Sequence, residues 1–110
     1  MTFSEYQKQA ITTALPHPDP LMYKTIMAMG VAGEAGEVLE KWKKIVAYKE
    51  GKVTKEELKE LGKELADVVW YIAVLADALG IEFDDIMAEN LAKLQDRKKR
   101  GVQRGSGDNR

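Results

Sequence analysis

The chain has no cysteine and a single histidine among its 110 residues. Disulfides and thiolate zinc sites are therefore excluded, a multi-histidine metal centre cannot be assembled, and a reducing compartment is the default expectation. Proline is scarce. All three prolines stand in one pentapeptide, Pro16-His17-Pro18-Asp19-Pro20, which makes a stiff connector and leaves the remaining chain free of such helix breakers. His17, inside it, reads as a solvated loop histidine rather than the border of a ligand pocket. Long apolar runs are missing too: Val68–Ala76 falls far short of the roughly 20 residues that a membrane helix needs. The opening MTFSEYQKQ carries neither a basic n-region nor an apolar h-region. A cytoplasmic protein without a membrane partner is expected. The formal charge of −1 gives no overall argument for a nucleic-acid or anionic-membrane partner.

What is present is helical periodicity. A composition of 45% hydrophobic and 32% charged residues is that of a globular protein, and the length suits one domain with a modest core. No strand-like alternation and no internal repeat occur. Thr2 or Ser4 can cap a first helix, with Phe3, Tyr6, Ala10, Ile11 and Leu15 near helical spacing, ended before Pro16. A long second helix is predicted from about Leu21 to Tyr48, its lysines Lys41, Lys43 and Lys44 suited to the dipole at its C-terminal end. Gly30, Gly33 and Gly36 fall inside it, each costing up to ~1 kcal/mol against alanine. No strand precedes them and no Gly-Lys-Ser/Thr follows, so a phosphate-cradling loop is set aside. Close approach by a neighbouring helix or a ligand explains them better.

Thr54 with Glu57 makes a capping box that opens a third helix, predicted to run to Leu79 and stop at Gly80. From Leu65 to Leu79 its only charges are Asp67 and Asp77. A helix apolar all round is surrounded by other helices, so Asp67 should be buried while Asp77, at the helix end, meets water. A fourth helix begins at Ile81–Asp84, with Ile86, Met87, Leu91 and Leu94 inward and Asn90, Lys93 and Arg97 sharing one face. Trp42 and Trp70 read as core aromatics. Residues 1–100 make the domain, and residues 101–110, Gly-rich and basic, a flexible tail. The fold expected is an all-α bundle of about four helices. The two longer helices, at about 38–42 Å, are too long for one small chain to cover on every side. A homodimer or homotetramer should complete the bundle.

Two acidic pairs stand out against this frame. On a wheel of about 100° per residue, Met27, Val31, Val38 and Ile45 lie within roughly 60° of Glu34 on one side, and Glu37 lies roughly 60° to the other. Glu34 thus stands in an apolar stripe, where a bare carboxylate is costly unless something positive meets it. Glu64 and Asp67 repeat the i, i+3 pair on the next helix, and antiparallel packing of the two helices would bring the pairs together. Lysines are one source of counter-charge: Lys41 beside Glu34 and Lys63 beside Asp67 would make a buried salt-bridge network. A cation is the other. Carboxylates without histidine or cysteine are hard donors, which favours Mg²⁺, with Mn²⁺ as substitute, over Zn²⁺.

In this order, Glu34–Glu37, residues 38–63, then Glu64–Asp67 on consecutive helices, the sequence resembles the MazG-like nucleoside triphosphate pyrophosphohydrolases of the all-α NTP pyrophosphatase superfamily. The GEAGE word within Gly30–Glu37, Lys43–Lys44, the ELADVVWY block at Glu64–Tyr71 and the N-x-x-KL word at Asn90–Leu94 carry the likeness, which spans roughly Phe3 to Arg100. The resemblance implies hydrolysis of a nucleoside triphosphate between the α- and β-phosphorus, to monophosphate and pyrophosphate. It implies that Glu34, Glu37, Glu64 and Asp67 hold Mg²⁺, that Glu34 or Glu37 also orients the attacking water, and that Tyr71, Asn90, Lys93 and Arg97 contact substrate or phosphate. A narrower dUTP- or dCTP-hydrolysing enzyme is a rival within that superfamily. Rivals from other classes are a non-catalytic helical homo-oligomer whose acids are internal salt bridges, and a nucleic-acid-binding module using Lys98–Arg110.

Overall fold

Four helices and no strand make up the computed structural model, which describes all 110 residues: α1 (Phe3–Ile11), α2 (Pro20–Lys49), α3 (Lys55–Ala78) and α4 (Phe83–Arg100). The all-α expectation holds. Each start has a local chemical cause. Thr2 and Glu5 exchange side-chain and backbone bonds in a capping box at α1, and Thr54 and Glu57 do the same at α3. Asp19 accepts from the Leu21 and Met22 amides, with Pro20 in the first turn of α2.

α1 is shorter than its apolar spacing predicts. It ends at Ile11, where the Thr12 and Thr13 hydroxyls donate to the Gln9 and Ala10 carbonyls, and such back-bonding competes with helix continuation. Leu15 lies outside the helix and is exposed. His17 has a structural use: its Nδ1 accepts from the Asp19 amide at 3.0 Å, beside a cleft of about 460 Å³ that also touches Tyr23, Lys24 and Asp77.

α2 and α3 pair as the two long rods, joined by the short turn through Glu50 and Gly51, both at positive φ. α1 lies across α3 and the start of α4. Ala10, Met27, Ala73, Val74 and Phe83 form the buried core, flanked by Tyr6, Tyr23, Trp70, Tyr71, Ile86 and Met87. One buried polar side chain ties three helices together. Gln7 donates from Nε2 to the Ala73 and Ile81 carbonyls and accepts, at Oε1, the Phe83 amide. Ser4 Oγ accepts the next amide, Asp84. The two residues on α1 thereby satisfy the first orphan donors of α4, whose own N-cap, Glu82, makes no side-chain cap bond.

Several side chains are more open than sequence pattern implies. Asp67, expected to be buried, is exposed, as are Leu65 at 55% and Val69. α3 is covered by α2 and α1 on one side and by little on the other. Leu91 and Leu94, expected inward, also face out, because α4 packs through its first turns and does not reach α2. Trp42 is 45% exposed rather than core, whereas Trp70 is half-buried and donates to Thr13 Oγ1 at 2.8 Å. Of the three α2 glycines, only Gly30 meets a neighbour within the chain, the Tyr71 ring; Gly33 and Gly36 face open space.

Candidate functional site

Antiparallel packing of α2 on α3 brings Glu34, Glu64 and Asp67 together, with a carboxylate oxygen of each within 4.8 Å of the others. Glu37, one turn along α2, is exposed and outside this triad. Its charge nevertheless reaches Glu34. Partial burial, then the charges of Asp67, Glu64 and Glu37, raise the Glu34 carboxyl above the usual glutamate range. Desolvation and like charges both disfavour the ionised form.

The lysines do not balance this set. Lys41 Nζ lies 3.4 Å from Glu64 Oε1 and 4.0 Å from Glu60. Lys63 turns to Glu60 at 3.0 Å, not to Asp67. Neither Glu34 nor Asp67 has a cationic partner within salt-bridge distance. A wholly internal salt-bridge network therefore accounts for one of the three acids. Three converging hard oxygen donors, two of them unpaired, fit a divalent cation such as Mg²⁺ or Mn²⁺.

Tyr6 is a neighbour that sequence reading missed, since it counts there only as an apolar position of α1. Burial and the Asp67 charge raise its phenol above the usual tyrosine value, which sets the start of the chain beside the acidic cluster. Tyr71, one turn beyond Asp67, packs edge-on to Trp70, with ring centroids 4.9 Å apart, and against Gly30.

The remaining sequence-derived contacts form a separate group. Lys93 Nζ binds Asp108 Oδ1 at 2.7 Å, and the buried Arg97 donates from Nη2 to the Asp108 carbonyl and, at 3.3 Å, to its carboxylate. Asn90 is exposed and shares a cleft with Lys93 and Asp108. These cations sit on the helix that does not touch α2, so the structure brings the acids together and the bases together, but not the two groups in one chain.

Residues 23–102 match the model of the MazG nucleotide pyrophosphohydrolase domain. The chain belongs to that family. The match takes in both acidic pairs and the Asn90–Arg97 face, and leaves out α1 and the last eight residues, 103–110. The chain is also similar to the Gene 37 protein of Mycobacterium phage L5, 44% identical over 110 aligned positions, with 96% of each chain covered. No solved structure matches it. No helix is long and apolar enough to cross a membrane.

Proposed function

We propose that this MazG-family chain hydrolyses a nucleoside triphosphate to the monophosphate and pyrophosphate, using a divalent cation held by Glu34, Glu64 and Asp67. The observation that carries this reading is the convergence of those three carboxylates within 4.8 Å, with Glu34 and Asp67 lacking any cationic partner. Mg²⁺ bound there supplies charge neutralisation and Lewis-acid polarisation at the phosphates. Glu37, exposed and outside the triad, is the carboxylate free to orient the attacking water and take its proton. The water oxygen bonds to the α-phosphorus, the bond from that phosphorus to the α–β bridging oxygen breaks, and the electron pair leaves with pyrophosphate. Tyr71, Asn90, Lys93 and Arg97 contact the substrate, the two cations meeting its phosphates.

The same reading needs more than one chain. A folded monomer of 12.3 kDa exposes about 6,100 Å² by the usual size scaling, whereas this chain exposes 8214 Å². Its radius of gyration is 16.9 Å, against about 13 Å for a compact domain of this length. The excess of roughly 2,000 Å² exceeds the ~800 Å² per partner that a stable interface buries. Met22, Ile26 and Met29 are exposed, and Gly33 and Gly36 continue their line at helical spacing along α2. A second copy packed on that line would cover it, and a partner's α4 could bring cations to the acids.

A panel of nucleoside triphosphates incubated with Mg²⁺, and again with chelator, tests the chemistry. Equal amounts of pyrophosphate and monophosphate, formed without free diphosphate and abolished by chelation, are expected. Orthophosphate and nucleoside diphosphate as first products would overturn it.

A further inference from the structure

Arg97 is the most buried cation of the chain, with a side chain 7% exposed, and its only acidic partner is Asp108, 74% exposed. Its Nε is buried and has no hydrogen-bond partner at all. A buried guanidinium left partly unsatisfied is costly. Lys93 pairs with the same carboxylate and with no other acid. Two cations thus face one exposed carboxylate, which leaves positive charge and donor capacity unused.

The segment that carries Asp108 is built to lie on α4 as a unit. Gly101, at φ 72°, ends the helix, and Gly105 and Gly107, at φ 137° and 86°, turn the chain back through backbone conformations that side chains resist. The Arg110 guanidinium then staples the segment to itself, donating to the carbonyls of Gly107, Gln103 and Val102 at 2.6, 3.1 and 3.4 Å. Its grip on the helix is a handful of polar contacts: the Asp108 carboxylate on Lys93 and Arg97, the Asp108 carbonyl on Arg97, and Arg100 Nη2 on the Arg110 carbonyl at 2.7 Å. Beside Asp108 opens a cleft of about 380 Å³ lined by Ile86, Met87, Glu89, Asn90 and Lys93.

We propose that Lys93 and Arg97 form an anion site closed by the chain's own C-terminal segment, with Asp108 in the place of a phosphate, so that tail and polyphosphate compete for it. The competition rests on the reading of Lys93 and Arg97 as phosphate contacts. A tethered carboxylate acts at high effective concentration, but Asp108 is itself 74% exposed, and its pairs with Lys93 and Arg97 are open to water on that side. A phosphate group offers several charged acceptor oxygens to the same donors and satisfies more of them. The segment therefore acts as a strap that closes the site when nucleotide is scarce and yields to it when abundant. Asp108 is held as a carboxylate by Lys93 first and Arg97 second, both of which keep its acid dissociation below the usual aspartate value.

Pyrophosphate in chelator, at constant ionic strength, is the probe, because the acid triad cannot then hold it through a metal. In the full chain it should speed tryptic cleavage after Arg104 several-fold. Asp108→Asn should be cleaved fast without it, bind pyrophosphate about three- to five-fold more tightly by calorimetry, and lower KM for the nucleotide with kcat retained. Lys93→Met, at a less buried position than Arg97, should be cleaved fast and lose the response to pyrophosphate. Cleavage indifferent to pyrophosphate, with Asp108→Asn no tighter, overturns the strap. Tail release by pyrophosphate in a chain that hydrolyses no nucleotide supports the strap and defeats the hydrolase; hydrolysis with a KM unmoved by Asp108→Asn does the reverse.

Discussion

The ring of Tyr71 fills the space that a side chain at Gly30 would need: a Cβ built on Gly30 would meet ring carbons at 2.2 Å. This contact lets α2 and α3 approach closely one turn from Glu34 and Asp67, so the separation of the acids depends on it. Gly30→Ala is expected to cost about 1–3 kcal/mol through overpacking, despite the helix propensity that alanine adds. Gly62→Ala, where nothing lies within 4 Å, should instead gain up to about 1 kcal/mol. Denaturant titration of both variants checks the opposite signs; a stabilised Gly30→Ala would mean that the two helices do not pack this closely.

Gln7→Leu should be among the most damaging single changes in α1. It strands the Phe83 amide and removes the donor to two carbonyls, Ala73 and Ile81. An unsatisfied buried group costs about 1–3 kcal/mol, so a loss of about 2–4 kcal/mol is expected by thermal or urea melt. A loss under about 0.5 kcal/mol, the range of ordinary surface changes, would show that the α1–α4 junction does not need this amide.

Asp67→Asn separates a cation site from a salt-bridge network by its sign. Asp67 has no cationic partner, and its charge opposes ionisation of Glu34. In chelator the variant should therefore be as stable as the parent or more so, while Mg²⁺ stabilises the parent by mass action and the variant less. Hydrolysis should fall steeply. Loss of a structural ion pair would instead cost about 3–5 kcal/mol where the stranded partner is buried. Melts of both proteins with and without Mg²⁺ decide; a strongly destabilised variant together with no Mg²⁺ effect on either would sink the metal-site reading.

Glu34 gives the corresponding pH dependence. Its carboxyl is raised in the folded chain by burial and by Asp67, Glu64 and Glu37, so between the ordinary glutamate value of 4.5 and its raised value the native state binds more protons than the unfolded. Stability then falls as pH rises through that window, and the penalty persists above it. Glu34→Gln removes this contribution. In chelator, the stability of the variant relative to the parent should rise with pH across the window and then level. The depressed carboxylates Glu40, Glu57, Glu60 and Asp108 have the opposite slope and cancel in the difference. A gap constant with pH would contradict the assignment.

Met29 tests assembly. It is 68% exposed on the outward line of α2. The parent should scatter light as a dimer or larger species at micromolar concentration, and Met29→Glu should shift it toward 12.3 kDa by burying a charge in the interface. A parent already monodisperse at that mass would refute the assembly.

The parts of this protein that short-range chemistry controls were legible without coordinates. Thr54 with Glu57 caps α3 through residues three apart, and Thr2, one of two candidate caps, opens α1; Asp19 and Pro20, legible only as connector, prove to cap and begin α2. The i, i+3 spacing of the acids likewise marks Glu34, Glu37, Glu64 and Asp67 in advance; the packing of α2 on α3 gathers three of them and leaves Glu37 outside. Tertiary structure alone decided the rest. Gln7 and Ser4 cap a helix that begins 76 and 80 residues further along, and no window of sequence pairs them. Lys41 chooses Glu64 over Glu34, Asp67 lies open, and only Gly30 of three glycines touches a neighbour, since each depends on which face of one rod meets the next. Periodicity states that a face is apolar; whether another helix covers it depends on where the chain turns, and here α4 turns away from α2 and leaves Leu91 and Leu94 in solvent.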